Sequence, residues 1–409
     1  MKFSANWMRA GVDAAFESVR NRVNAPIAIE LWDGREFPLG PDPRVRMKIR
    51  KAEALRHVLT PTLGSLAEAY VEGEFDVEGS MTDVIAAADK LANSAGTGAW
   101  DRVALAAAKH TRKLDRDAIQ RHYDVSNDFY SLWLDQRMIY SCAYFKTGEE
   151  DIDTAQGQKL DHICRKLQLK PGDKFLDIGC GWGGLITHAA SKYGVDATGI
   201  TLSENQYALA SQRIRENGLG ERCRVQLLDY RDAAQKLGEG AFDKIASIGM
   251  FEHVGLRNLP VYFGAVKGLL KERGLFLNHG ITSSDVDSKP VGSDTGGFID
   301  KYVFPHGELP HVSLAIREMS AQHFEVVDVE SLRMHYARTL ALWSGALESK
   351  LDAAAKLVDD RILRVWRVYL TGCSYGFQQG WMNIYQMLAS KQAEPGRNDL
   401  PWTRDYMYR

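Results

Sequence analysis

The chain has 409 residues, enough for two domains or one large one, and its hydrophobic content of 45% is ordinary for a globular protein. A net charge of −2 argues against a nucleic-acid partner, and no apolar run reaches the ~18 residues that a membrane-spanning helix needs. The five cysteines are widely spaced without a CxxC pair, so neither a disulfide framework nor a metal site is indicated. With no signal-peptide pattern at residue 1, we expect a protein of the reducing cytoplasm.

Residues 1–95 are predicted to form a small α+β domain. Apolar residues recur at steps of three and four over residues 5–23, which indicates an amphipathic helix with Trp7 near its start. The patterns that follow indicate three strands and three helices: 27–31, 44–49 and 74–77, then 52–59, 63–71 and 81–92.

The charge is unevenly distributed. Residues 1–60 contain eleven Lys or Arg and seven Asp or Glu, a net charge of +4, which leaves −6 for the remainder. That asymmetry favours contact with anionic lipid headgroups. Two interpretations of the 5–23 helix stay open, packing on its own domain or binding in a membrane interface.

The second domain is predicted over residues 121–395, after a Gly-rich linker and a helix at 96–120 and before a tail at 396–409. Helical and strand patterns alternate along it, which predicts a parallel sheet with helices on both faces. The predicted strands are 174–178, 196–200, 224–228, 244–248, 274–278, 324–329 and 381–390, and the predicted helices are 155–168, 183–193, 203–216, 258–270 and 361–378.

The sequence KFLDIGCGWGGL at 174–185 predicts a ligand cradle. Gly179 and Gly181 follow a buried strand and precede a helix, so the backbone there can approach a ligand closely beside a helix N-terminus. These glycines also satisfy, with Gly184, the G-x-G-x-x-G dinucleotide pattern.

Acidic and polar residues around the glycines favour adenosylmethionine over NAD. Asp177 stands before the first glycine, the next strand ends at Thr201-Leu202 without an acid, and the strand after it ends at Asp229. This pattern suits an adenosine with a zwitterionic methionine tail. An NAD oxidoreductase is a distant alternative.

Two further groups of residues are predicted to surround the cradle. The aromatic segment 121–147 has Asp124 or Ser126 as helix cap, and Tyr123, Tyr140 and Ser141 are expected to reach back as a lid. An acid–base group of Glu252, His253 and His279 is expected at strand ends.

Several segments carry a resemblance to a known family. They are HYDVSNDFY, YSCAYF, LDIGCGWGG, DYRD, GMFEHVG, KYVFP and TLALW. The chain resembles cyclopropane-fatty-acyl-phospholipid synthases and mycolic acid cyclopropane synthases over about residues 121–390, and its N-terminal domain is similar to that of the longer phospholipid enzymes. The resemblance implies a Rossmann-like class I methyltransferase fold with a seven-stranded, mostly parallel sheet.

The resemblance also implies a reaction. A methyl group from adenosylmethionine is added to a cis double bond of an acyl chain, and bound bicarbonate removes a proton from the resulting carbocation as a cyclopropane ring closes. The implied holders of bicarbonate are Cys142 (through its backbone), Glu252, His279, Ile281 (through its backbone) and Tyr336. The cofactor residues, with those from the cradle, are Tyr123, Tyr140, Ser141, Asp177, Gly179, Gly181, Thr201, Leu202, Gln206, Asp229 and Tyr230.

The sequence departs from the family pattern at two places. The usual order His-Thr-Ile-Gly is replaced by His279-Gly280-Ile281-Thr282, and Phe298 stands where a Trp is often seen, after a polar, Gly-rich stretch at 283–297. A methyl-branched, ring-free product therefore stays open.

The implied partner is a phospholipid bilayer with unsaturated acyl chains, met at the inner face of the membrane by a peripheral protein. Homodimer formation is left open. The rival from another class is a non-catalytic lipid-binding protein, for which lipid binding would be indifferent to adenosylmethionine.

Overall fold

The computed structural model describes residues 2–94, 125–289, 293–304, 307–393 and 400–409. The predicted linker and helix at 96–120, together with Tyr123 and Asp124, lie outside these residues. No helix in the described part of the chain combines the length and the apolar character that crossing a membrane requires.

The chain divides into two compact units. The first contains the described residues of Met1–Leu105, Gly292–Val303 and Leu351–Tyr375, and the second those of Ala106–Val291, Phe304–Lys350 and Gly376–Arg409. The predicted boundaries make each domain continuous in sequence. The structure differs, because two segments within 121–395 group with the first unit.

The two segments, 292–303 and 351–375, group with the first unit because their side chains contact residues of its N-terminal part. The Arg364 guanidinium lies 2.6 Å from the Asp76 carboxylate and 4.8 Å from the centre of the Tyr70 ring. The Tyr302 hydroxyl donates to Glu72 at 2.8 Å. Such contacts join residues more than 200 positions apart, which local sequence patterns do not reveal.

The first unit is built on a four-stranded sheet in the order β2-β1-β3-β4. Strand β1 is parallel to β3, and the other pairs are antiparallel. The strands are β1 (Ile27–Glu30), β2 (Glu36–Pro38), β3 (Val45–Ile49) and β4 (Phe75–Glu78), and the helices are α1 (Lys2–Arg22), α2 (Arg56–Leu59), α3 (Leu63–Val71) and α4 (Met81–Ser94).

Helix α1 packs its apolar side on the first unit. Phe16 and Val19 are buried, and the Phe16 ring stacks on Phe37 of β2 with centroids 4.3 Å apart. Of the two interpretations of this helix, the packed one therefore describes its C-terminal half. Association with membranes stays a prediction.

The second unit contains a seven-stranded sheet in the order β10-β11-β9-β8-β5-β6-β7. The strands are β5 (Lys174–Ile178), β6 (Asp196–Thr201), β7 (Cys223–Leu227), β8 (Phe242–Ile248), β9 (Leu270–Ser283), β10 (Phe324–Ser331) and β11 (Met382–Lys391). The five strands from β9 to β7 in this order are parallel, and β11 runs antiparallel to both of its neighbours. The predicted mostly parallel sheet is confirmed.

Helices cover both faces of this sheet. The helices of the second unit are α5 (Asn127–Ser131), α6 (Ile152–Lys166), α7 (Gly184–Tyr193), α8 (Glu204–Glu216), α9 (Ala233–Leu237), α10 (Leu259–Leu269), α12 (Val312–Ala321) and α13 (Arg333–Glu348). Three further helices, α11 (Ser293–Tyr302), α14 (Leu351–Ala354) and α15 (Asp360–Gln379, as far as Tyr375), group with the first unit. One core joins α6, α7 and α8 to the sheet through Phe175, and a second joins α10 and α12 through Leu176. Because successive strand residues point to opposite faces, β5 is buried on both sides.

Two predictions between residues 274 and 297 were wrong. The strand predicted at 274–278 is the middle of β9, which extends to Ser283 because β11 pairs with it from Leu275 to Ser283. His279 and Ile281 therefore lie inside a strand and not beyond its end. Helix α11 begins within the stretch 283–297 that the sequence suggests is a polar loop.

Candidate active site

The glycine turn after β5 has the backbone that the sequence predicts. Gly179, Gly181 and Gly183 all have positive φ angles, of 79°, 55° and 83°. A Cβ atom added at Gly181 would meet nothing within 4 Å, whereas one at Gly179 would lie 3.0 Å from the Met250 side chain. The backbone at Gly181 thus faces open space in front of helix α7.

A cleft lies at the carboxyl edge of the sheet, as expected for an open α/β fold. Eight of the residues predicted to hold the cofactor line it: Tyr140, Ser141, Gly179, Gly181, Thr201, Leu202, Gln206 and Tyr230. Their roles as ligands stay predictions, but the structure brings them together around one space.

Two acidic residues that were also predicted to hold the cofactor, Asp177 and Asp229, do not line the cleft. Asp177 is buried within β5 behind the cleft, where one oxygen, Oδ1, has no partner in the described structure and burial raises the pKa to about 7. Asp229 turns its carboxylate to Arg231, 2.6 Å from the guanidinium, and accepts from the Arg231 backbone N–H. Arg231 itself lines the cleft, although no sequence pattern predicted it there.

The end of β6 is fixed by side-chain hydrogen bonds. The Thr201 hydroxyl donates to Gln206 Oε1 at 2.8 Å, and Ser203 caps α8 by accepting from the Gln206 backbone N–H. Because the bond uses Oε1, the amide NH₂ of Gln206 is available as a donor. This fits its predicted role toward a ribose hydroxyl.

Helix α6 holds the wall formed by residues 139–141. Gln156 Nε2 donates to the Ser141 carbonyl at 2.9 Å, and Lys159 Nζ donates to the Ser141 hydroxyl at 2.8 Å. These two side chains are three residues apart and share one helix face. Sequence reasoning missed Lys159, since a lysine in an amphipathic helix is usually a solvated residue.

Glu252 lies in a short 3-10 turn, Phe251–His253, that follows β8. Its Oε1 accepts from the Ile281 backbone N–H at 2.6 Å, and its Oε2 is buried with no partner in the described structure. Burial raises the pKa of this carboxyl to about 7. The Ile281 N–H that was predicted to hold bicarbonate is therefore used by Glu252.

His279 is buried in β9. Its Nδ1 lies 3.4 Å from Gln386 Nε2, and its Nε2 is buried without a partner among the described residues. Burial lowers the pKa well below the usual histidine value, so the ring is neutral near pH 7. His253 separately lines the cleft, with its ring 5.2 Å from that of Phe304.

Cys142 and Tyr336 both lie near the start of helix α13. The Cys142 thiol is fully buried, lies 3.9 Å from the Leu332 carbonyl that precedes α13, and has its pKa raised by burial. It is therefore not a thiolate nucleophile near neutral pH. Tyr336 lies in the first turn of α13, with its ring 4.8 Å from that of Phe377 and 6.2 Å from that of Trp343.

Residues 110–387 match a family model described as mycolic acid cyclopropane synthetase. The chain belongs to this family. Residues 16–98 match a second model, described as a domain of unknown function, DUF7884.

Relatives in the cyclopropane synthetase family extend over most of the chain. A probable fatty acid methyltransferase of Pseudomonas putida is 48% identical over 387 residues, 95% of this chain and 97% of that protein. A cyclopropane-fatty-acyl-phospholipid synthase of Escherichia coli K12 is 33% identical over 377 residues, 90% of this chain and 94% of that protein. A crystal structure of a mycolic acid cyclopropane synthase complexed with SAH and CTAB is 35% identical, with a TM-score of 0.63, and covers 68% of this chain and 98% of that one.

The family resemblance, fold class and enzyme class predicted from the sequence are thereby confirmed. The protein is an adenosylmethionine-dependent methyltransferase that modifies lipid acyl chains. The cleft fits that cofactor, because the Gly181 backbone opens onto it without a side chain between.

Proposed function

We propose that the protein transfers a methylene group from adenosylmethionine to the cis double bond of an unsaturated phospholipid acyl chain and so forms a cyclopropane fatty acid. One observation carries this proposal. Glu252 Oε2 and His279 Nε2 are both buried and lack partners in the described structure, on two elements that the Glu252–Ile281 bond joins. Polar atoms left unpaired in a protein interior are costly, which supports a small polar ligand there.

The demands of the reaction explain why such a ligand is needed. When bound, adenosylmethionine supplies an electrophilic methyl group. The double bond gives up its electron pair, so a neighbouring chain carbon becomes cationic. Ring closure then requires loss of one proton from the added methyl group, whose C–H electron pair forms the last ring bond. The proton passes to a base, for which bicarbonate is the proposed species.

The side chains of the proposed holders have the chemistry that a bound bicarbonate needs. The neutral His279 ring can present an N–H, and the Tyr336 hydroxyl is proposed as a second donor. Glu252, when ionised, accepts the bicarbonate O–H, which leaves the other bicarbonate oxygens to accept the substrate proton. No side chain then has to act alone as the base.

Aromatic rings provide the environment that a carbocation needs. Tyr140, in the wall of the cleft, lies 5.6 Å from Trp133 and 5.5 Å from Trp343, measured between ring centres. Ring faces attract positive charge, and their bulk excludes the water that would quench a cation.

Lipid analysis tests the proposal. Lipids from a host that expresses the chain should contain acyl chains heavier by one CH₂ group, and these chains should survive ozonolysis because a ring has no double bond. The matched control is the same host expressing Glu252→Gln. Heavier chains that ozone cleaves would contradict ring formation.

A second candidate is a methyl-branched, ring-free product. It is favoured by the 48% identical relative, which is named a probable fatty acid methyltransferase. Only the fate of the cation differs, because the proton would leave a chain carbon and not the added methyl group. The same ozonolysis distinguishes the two, since this product keeps a cleavable double bond.

We also propose that the protein reaches its substrate by reversible association with the membrane surface. The support is the +4 charge of residues 1–60. Several of these basic side chains are paired with acids, as Arg44 is with Asp83 at 3.2 Å, so the attraction is moderate. Flotation with anionic liposomes should weaken with added salt. Flotation that salt does not change, or that is equal with neutral liposomes, would contradict an electrostatic contribution.

A further inference from the structure

Lys159 is a buried cation that the proposed chemistry does not use. Its side chain is 2% exposed, yet it forms part of the wall of the cleft. Its Nζ makes one hydrogen bond, to the Ser141 hydroxyl, and no carboxylate in the described structure forms an ion pair with it. A buried ammonium group with a single neutral partner retains two N–H groups for a ligand.

The charged groups near Lys159 do not pair with it directly. The Asp135 carboxylate accepts from the backbone N–H groups of Ile139 and Arg137, at 2.7 and 3.1 Å. The Asp177 carboxylate is near enough to influence Lys159 electrostatically, but its Oδ1 has no partner.

Two further titratable groups are near enough to interact electrostatically with Lys159, the thiol of Cys142 and the ring of His279. The first is protonated and the second neutral near pH 7, because burial shifts both pKa values in those directions. The positive charge of Lys159 is therefore offset only by the Asp135 and Asp177 carboxylates, neither of which forms an ion pair with it in the described structure.

We propose that Lys159, together with the Ser141 hydroxyl, binds the carboxylate of the amino-acid tail of adenosylmethionine. The inference depends on the cleft being the cofactor site, and not on which lipid product is formed. Gln156 and Lys159 come from the same face of α6, so the helix fixes the ammonium group against the wall at residues 139–141. A carboxylate that accepts hydrogen bonds from both the Ser141 hydroxyl and the ammonium group supplies the missing counter-charge.

The protonation of Lys159 makes this contact sensitive to pH. Burial lowers its pKa to about 8. A bound carboxylate favours the charged form and raises that pKa, so binding takes up protons when the pH is above about 8. The contribution of the carboxylate to affinity is complete below this pKa and declines as the pH rises through it.

Two ligands that differ by one group test the proposal. S-adenosylhomocysteine carries the carboxylate, and S-adenosylthiopropylamine lacks it but keeps the amine and the adenosine. Calorimetry on the purified full chain should show that Lys159→Met loses affinity for S-adenosylhomocysteine by roughly 10- to 100-fold. Its affinity for the amine should change by less than about threefold, so the preference for the carboxylate disappears.

Gln156→Met is the matched control for a purely structural role. It removes hydrogen bonds to the same wall but leaves the charge of Lys159 in place. It should weaken both ligands by similar factors and preserve the preference. A Lys159→Met variant that weakens both ligands equally, or neither, would overturn the proposal.

A measurement on the unmodified chain covers the case in which Lys159→Met does not fold. The ratio of the two affinities, corrected for the separately measured amine pKa of each ligand, should fall as the pH rises through about 8. Taking the ratio cancels the titration of protein groups common to both complexes. A ratio that stays constant up to pH ~9.5 would overturn the proposal. If the unmodified chain binds neither ligand, it is the cofactor site itself that fails, which is a different result.

Discussion

The backbone N–H of Ile281 donates to Glu252 Oε1 across 2.6 Å, and the second oxygen of the same carboxylate is buried without a partner in the described structure. The first oxygen therefore fixes the side chain against β9. The second oxygen can still accept a hydrogen bond from a ligand. Glu252 thus combines a structural hydrogen bond with a carboxylate oxygen that has no partner in the described structure.

Replacing Glu252 by Gln should separate these two roles. The amide oxygen can still accept from Ile281, so the turn keeps its place, but the negative charge is gone. We expect ring-forming turnover to fall about 100-fold or more, while S-adenosylhomocysteine affinity stays within about twofold. The measurements are initial rates on unsaturated phospholipid vesicles and calorimetry. Glu221→Gln, at an exposed position, is the control for loss of a carboxylate. Full activity of Glu252→Gln without bicarbonate would contradict the assignment.

Glu252 should also make stability depend on pH. Burial raises its pKa from 4.5 to about 7, so the folded protein binds the proton more tightly than the unfolded chain does. Its contribution to the free energy of unfolding is therefore present at low pH and is lost as the pH rises from about 4.5 to about 7. The loss is at most about 3 kcal/mol. Denaturant titrations at several pH values should show this decline in the wild-type chain and a weaker one in Glu252→Gln. Parallel pH profiles would argue against the shift.

Gly181→Ala should weaken cofactor binding. The φ angle of 55° disfavours a side chain by about 1–2 kcal/mol, and the added methyl group would enter the cleft. We expect a tenfold or greater loss of S-adenosylhomocysteine affinity by calorimetry (about 1.4 kcal/mol). Gly172→Ala is the control, because Gly172 also has a positive φ, of 87°, and open space, but lies outside the cleft wall. Equal affinities in the two variants would remove Gly181 from the site.

Gly280→Ala should destabilise the protein. An added Cβ would lie 2.1 Å from the Phe251 ring and 3.2 Å from Glu252 Oε1, so the ring and the turn that holds Glu252 must move. We expect the free energy of unfolding to fall by about 1–3 kcal/mol, with a loss of ring formation. Gly345→Ala, in helix α13 with nothing near the new methyl group, should be neutral or stabilising by up to about 1 kcal/mol. Similar denaturation midpoints for both variants would contradict the packing argument.

Local sequence patterns were sufficient to predict those elements whose conformation is determined by their own residues. Strand β5 begins and ends where predicted, and Ser126, one of two predicted caps, accepts from the Phe129 N–H at the start of α5. The glycine turn likewise follows from the conformational freedom of its own residues. Few contacts with residues distant in sequence are needed to form these features.

Other features depend on distant partners and were missed. The polar sequence after Asn278 is buried only because β11 pairs alongside it, and Lys159 is buried only because residues 139–141 cover its helix face. The residues proposed to hold bicarbonate were assigned by resemblance. The structure adds that the Ile281 N–H is already engaged by Glu252, a contact that no local pattern encodes.

The first unit is assembled from three separate stretches of chain, which affects how the protein can be divided. A truncated chain beginning near residue 121 would keep Arg364 and Tyr302 but lose Asp76, Tyr70 and Glu72, the groups they bind. The two segments that carry Arg364 and Tyr302 would then expose charged and aromatic side chains that are paired in the full chain. Removing the N-terminal region therefore does not isolate a catalytic module, and a loss of activity after such a cut would not by itself show that this region binds lipid.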